Sequence, residues 1–65
     1  MYGEAIKSAR LKANLTQKEV AEVLQISQPT LANWERDKRS APSVKRLTEL
    51  ADIYNVSLDE LLGRR

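Results

Sequence analysis

The 65-residue chain contains no cysteine and no histidine. Disulfides are therefore excluded and the two commonest soft metal ligands are missing, which argues against a structural zinc and for a reducing compartment or indifference to redox. With only two glycines there is no glycine-rich phosphate loop. Asp59 and Glu60 are neighbours in sequence but diverge around a helix, so they do not form an acid/base pair. We therefore expect no enzyme, no metal and no cofactor. No apolar run approaches the roughly 20 residues of a membrane span. The stretch MYGEAIKSAR lacks an apolar signal-peptide core, so the expectation is a cytoplasmic protein with no membrane partner. A chain of this length makes one domain, residues 1–65, and buries only about 60% of its unfolded surface, so its packing has to be good.

Charge is modest in sum and uneven in place. The net value is +2. Residues 1–33 carry four bases and three acids, residues 34–46 (WERDKRSAPSVKR) five bases and two acids, and residues 47–65 two bases and four acids. The positive charge follows directly on the stretch that organises the chain.

That stretch is TQKEVAEVLQISQPTLANWE, residues 16–35. It reads as two short helices joined by a tight turn. Thr16 caps the first and Glu19 completes a capping box. Val20, Ala21, Val23 and Leu24 recur as one apolar face. Gln25 and Ile26 make the turn, Ser27 caps the second helix, and Pro29 falls in its first turn, where a missing N–H costs nothing. Leu31 and Trp34 point inward. The outer face keeps Gln28, Pro29, Thr30 and Asn33, with Ala32 at the edge. Uncharged donors and acceptors, with no carboxylate before Glu35, suit a helix that reads base edges, because an amide offers a donor and an acceptor together to adenine.

The rest of the chain reads as three further helices. Residues 3–13 carry Ile6, Ala9 and Arg10 at helical spacing, with Ala5 and Ala13 helping, and Asn14 stops the helix because it tolerates the left-handed region. Leu15 packs back. Residues 43–54 follow Pro42, with Val44, Leu47, Leu50, Ala51 and Tyr54 as the buried stripe and Asn55 at the end. Ser57 and Glu60 form another capping box for residues 58–62, which carry Leu58, Leu61 and Leu62. With residues 17–24 and 28–36 this makes five helices and an all-α fold.

At LTQKEVAEVL, ISQPTLANWE, Pro42 and LADIYNVSLDELL the chain resembles the Cro/repressor-type, or XRE, family of helix-turn-helix domains, which are lambda-repressor-like in fold. The resemblance runs from about Gly3 to Leu62, and it rests on the three spacings TQ-x-E-x-A, I-S-x-x-x-L-x-x-W-E and V-S-x-x-x-L-L taken together. It implies a transcriptional regulator, expected to be a repressor, that binds double-stranded DNA as a homodimer with its third helix in the major groove of a palindromic operator. The base-contact candidates are Gln28, Pro29, Thr30 and Asn33. The phosphate-contact candidates are Gln17, Ser27, Arg36, Lys38 and Arg39, the last two on the basic loop. The resemblance implies an ion pair between Arg10 and Glu35 that sets the angle between the first and third helices. It also implies a dimer interface at the fifth helix, for which Leu58 and Leu61 are the candidates. The family usually has glycine at the positions of Gln25 and Asp37, where the backbone needs positive φ; a side chain there costs roughly 1 kcal/mol. The expected setting is the cytoplasm of a bacterium, on the nucleoid, with a bacterial or phage gene. Two other uses of the scaffold are an antitoxin and a protein-interaction module. Antitoxins often append a toxin-binding segment, and a protein-binding helix would show apolar anchors where this one is polar.

Overall fold

The computed structural model describes residues 2–36 and 41–63, without the side chain of Tyr2. Five α-helices account for all the regular structure among the described residues: α1 (Tyr2–Lys12), α2 (Gln17–Leu24), α3 (Gln28–Arg36), α4 (Val44–Tyr54) and α5 (Leu58–Leu61). None of them is long and apolar enough to cross a membrane. The first helix begins and ends one residue earlier than the apolar spacing suggests. The fourth starts at Val44 because Ser43 stands outside it as the cap, accepting the Arg46 N–H at 3.2 Å. The fifth ends at Leu61, with Leu62 as its C-cap.

Three connections among the described residues close in the same way. Asn14, Gln25 and Asn55 sit at φ of 60°, 58° and 56°. Each is followed by an apolar residue whose N–H reaches back five residues: Leu15 to the Arg10 carbonyl, Ile26 to the Ala21 carbonyl, Val56 to the Ala51 carbonyl. The left-handed residue reverses the chain, the back-reaching bond satisfies a carbonyl the helix end leaves open, and the apolar residue then packs against the core. Asparagine tolerates this conformation; glutamine lacks its short local hydrogen bond and holds it under strain.

N-caps match the sequence at Thr16, where the full capping box forms: the Thr16 hydroxyl accepts the Glu19 N–H at 3.1 Å and the Glu19 carboxylate accepts the Thr16 N–H at 2.9 Å. At Ser57 only the hydroxyl half of the expected box is made, to the Glu60 N–H at 3.1 Å.

Ile6, Val20, Leu31, Leu50 and Leu61 are fully buried and form the centre of the core, with Trp34, Leu24, Leu47 and Tyr54 around them. Burying each such aliphatic side chain contributes about 1.5–3 kcal/mol. Two expected core residues lie outside. Val23 is 66% exposed and Val44 is 72% exposed. The buried arc of α2 is narrow, Val20, Ala21 and Leu24, and Val23 falls beyond its edge. Val44 is in the first turn of α4, before that helix meets the core, which it joins at Leu47.

Helix α1 is the strut behind the helix-turn-helix. It packs chiefly on α3, and also on α5 and α4. The approach is close at Gly3, where a Cβ would stand 3.1 Å from the carbonyl oxygens of both Trp34 and Glu35. Any larger residue there would have to push back the last turn of α3.

Candidate nucleic-acid interface

Helix α3 turns Leu31, Trp34 and Glu35 into the protein. Helical spacing then places Pro29, Asn33 and Arg36 opposite them, with Gln28 and Ala32 on one flank and Thr30 on the other. Gln28, Pro29 and Arg36 are exposed, and Thr30, Ala32 and Asn33 half-buried. The tryptophan belongs to the core, 8% exposed, and is no stacking platform for bases.

Behind this face runs a chain of hydrogen bonds. The Arg10 guanidinium meets the Glu35 carboxylate as a fork, Nε to Oε2 at 2.7 Å and Nη2 to Oε1 at 3.1 Å. The two side chains are 9% and 3% exposed, so the pair is buried. Arg10 Nη1 also donates to the Leu15 carbonyl at 2.9 Å. The carboxylate raises the pKa of Arg10 through this hydrogen bond, against the opposing effect of burial. Glu35 Oε1 accepts a third bond, from Gln17 Nε2 at 3.0 Å. Gln17 Oε1 in turn accepts from Gln28 Nε2, a long contact at 3.5 Å. The core of α1 is thereby linked, through the first turn of α2, to the first turn of α3.

Gln17 is a phosphate-contact candidate by its place at the start of α2. In the structure it is half-buried and ties Glu35 to Gln28. One amide hydrogen of Gln17 is engaged with Glu35, and the other is unused among the described residues. Gln28 turns one amide hydrogen to Gln17 in that long contact; its Oε1 and second hydrogen are unused among the described residues, and an adenine edge takes one acceptor and one donor. Ser27 and Thr30 are held together, hydroxyl to hydroxyl at 2.7 Å, with the Thr30 N–H on Ser27 Oγ at 3.3 Å. That pair keeps one hydroxyl hydrogen to donate outward. Arg36 Nη2 donates to Asn33 Oδ1 at 2.8 Å.

Lys38 and Arg39, the phosphate candidates of the basic loop, and Asp37 lie outside the described residues. At the far end of the molecule Leu58 is 37% exposed, whereas Leu61 is fully buried and has no surface to offer a second copy.

Two features escaped the sequence reading. Arg46 Nη1 donates to the Leu24 carbonyl at 3.1 Å and to Glu49 at 3.0 Å, clamping α4 to the last residue of α2. The Ser43-x-x-Arg46 spacing gave no hint of that reach, because Leu24 is 22 residues away. Tyr54 is buried beside Arg10 and Glu35, and its hydroxyl has no partner among the described residues. Burial pushes its phenol well above the ordinary range, and the Glu35 carboxylate pushes in the same direction.

An all-helical domain with this two-helix unit and a polar outer face on the second helix defines the helix-turn-helix class. A helix-turn-helix family model matches residues 6–61, and the chain belongs to that family, in its Cro/C1-type branch. It is 50% identical over 62 residues to the HTH-type transcriptional regulator ImmR of Bacillus subtilis (strain 168), covering 95% of this chain and 48% of ImmR. It is 33% identical to the HTH-type transcriptional activator BcrR of Enterococcus faecalis, over 95% of this chain and 30% of BcrR. It is 36% identical to the HTH-type transcriptional regulator AnsR of Bacillus subtilis (strain 168), over 94% of this chain and 52% of AnsR. The chain thus spans about half or less of the length of these relatives.

Proposed function

We propose that the chain is the DNA-binding domain of a transcriptional regulator, that α3 lies in the major groove, and that it acts as a repressor in homodimeric form on a palindromic operator. The observation that carries this reading is the bonded series from Arg10 through Glu35 and Gln17 to Gln28. It restrains an exposed amide at the start of α3 while leaving it one acceptor and one donor. Such an amide is bidentate to adenine and discriminates by about 1–3 kcal/mol. Asn33, Thr30 and Pro29 add contacts along the same face, the last against a thymine methyl. Arg36, Lys38 and Arg39 take phosphates beside the groove, with Ser27 and Gln17 contributing weaker donors; these contacts set register and affinity without reading sequence. Repression is the outcome that needs least, since occupancy of an operator blocks transcription without a further contact. Leu58, exposed on α5, supports a dimer joined at that end, which would set the two α3 helices about 34 Å apart, one turn of DNA.

The test is selection of bound duplexes from a random pool at about 100 mM salt, where backbone affinity alone is weakened. A palindromic consensus with half-sites one turn apart is expected, and Gln28→Ala should relax one position per half-site. Binding without a consensus, or an unaltered consensus for Gln28→Ala, would overturn the assignment of α3 as the reading helix.

A further inference from the structure

Arg36 is a phosphate candidate by its charge, yet its guanidinium is directed along its own helix to Asn33, three residues back, at 2.8 Å. We infer that Asn33 and Arg36 act as one donor-only reading unit that selects guanine, and that Arg36 is a specificity-setting residue as well as a cation. This rests on the proposal that α3 reads the major groove.

The chemistry follows from which atoms can meet. A guanidinium has five N–H donors and no acceptor. The Asn33 atom facing it must therefore be Oδ1, because the flipped amide would set donor against donor. The contact is charge-assisted and of the strong, short kind. Asn33 is half-buried and shares the outward face of α3 with Pro29 and Arg36, so the contact with Arg36 is what favours this orientation of the amide. With Oδ1 held, Nδ2 is the end left to face a base, and among the described residues it donates to nothing. The second lone pair of Oδ1 lies beside a positive charge, which repels the partly positive amino hydrogens of adenine or cytosine. Guanine is the base whose major-groove edge presents two acceptors, N7 and O6, and no donor. Gln28 differs because its contact with Gln17 uses a hydrogen and leaves its oxygen unused. The same helix thus offers a mixed amide at residue 28 and a purely donating unit at residues 33 and 36.

The experiment repeats the duplex selection with wild type, Asn33→Ala, Arg36→Ala and Arg36→Lys, each first shown to melt like wild type by circular dichroism. Asn33→Ala locates the base position that depends on residue 33. The expected result is guanine there in the wild type, a loss of about fivefold or more in guanine-over-adenine preference in Arg36→Ala, and recovery of most of it in Arg36→Lys, which keeps a cationic donor. The inference is overturned if the wild type selects adenine at that position. It is also overturned if Arg36→Ala weakens all sequences alike and leaves the base preference intact, for Arg36 then touches only phosphate. A wild-type protein that selects no consensus at all would instead refute α3 as a reading helix, and the Gln28-dependent position separates these two failures.

Discussion

The buried pair of Arg10 and Glu35 offers the sharpest test of how this small domain is held together. With side chains 9% and 3% exposed, each charge loses its main partner in a site with little access to water if the other is removed. Arg10→Met leaves the Glu35 carboxylate with only the Gln17 amide, at 3.0 Å, among the described residues. Glu35→Leu leaves the guanidinium with the Leu15 carbonyl at 2.9 Å, although its long stem can carry the charge toward water. Removing one partner of a buried pair typically costs about 3–5 kcal/mol. A domain of this size has in total only about 3–10 kcal/mol, from about 0.05–0.15 kcal/mol per residue. Each single variant should therefore be close to unfolded at 25 °C, with Arg10→Met the worse because a carboxylate has no stem to extend. The double variant replaces both charges by apolar groups and should recover at least about 2 kcal/mol relative to the sum of the singles. Urea denaturation of the four proteins measures this directly. Single variants that each lose less than about 1 kcal/mol and add without coupling would mean that the pair behaves as a solvated surface bridge, and the argument that it fixes α1 against α3 would fail.

Three further predictions follow from single positions. Gln25→Gly relieves a left-handed residue at φ 58° and should stabilise by about 1 kcal/mol, raising the melting temperature by about 4–8 °C in a scanning calorimeter; an unchanged or lower value would show that the turn is unstrained. Lys38→Ala and Arg39→Ala should each weaken binding to all duplexes about equally and reduce the salt slope by about 1, and a change in base preference would contradict their assignment to phosphate. Tyr54 is held neutral by burial, with its pKa raised above the ordinary 10.0, so the unfolded chain loses its proton first. Its contribution is complete below pH 10 and falls as pH rises beyond it. Tyr54→Phe removes an unpartnered buried hydroxyl, should be neutral or stabilising by up to about 1 kcal/mol at pH 7, and should flatten the alkaline decline in urea midpoints; a steeper decline would contradict the sign.

What could be read from the residues in order was local. The stop residues Asn14 and Asn55, the caps at Thr16 and Ser57, and the buried stripe through Leu47, Leu50 and Ala51 each depend on neighbours within four positions, and the structure agrees with them. Val23 and Val44 show where that reading stops. Helical spacing says which residues share a face, but the width of the face is set by the helix that covers it, and nothing in residues 17–24 or 44–54 alone encodes that width. The ion pair of Arg10 with Glu35 spans 25 residues and was reached through family resemblance. The clamp from Arg46 to Leu24 spans 22 and left no trace in either spacing or resemblance.

The candidate site divides along the same line. That α3 has a polar outer face was legible, because which residues face outward follows from the position of Leu31 and Trp34. What each outward side chain has left to offer was not legible, because it depends on partners. Gln28 and Asn33 look alike in sequence, two amides on one helix. One spends a hydrogen on Gln17 across eleven residues and the other gives its oxygen to Arg36 across three. Had residue 36 been a glutamate, the same asparagine would have turned its Nδ2 toward that carboxylate and left its Oδ1 and second hydrogen outward, as Gln28 does. The hydrogen-bonding character of the α3 face therefore lies in the second residue of each pair; if α3 reads DNA as proposed, a change at position 17 or 36 alters the sequence selected while leaving residues 28 and 33 unchanged.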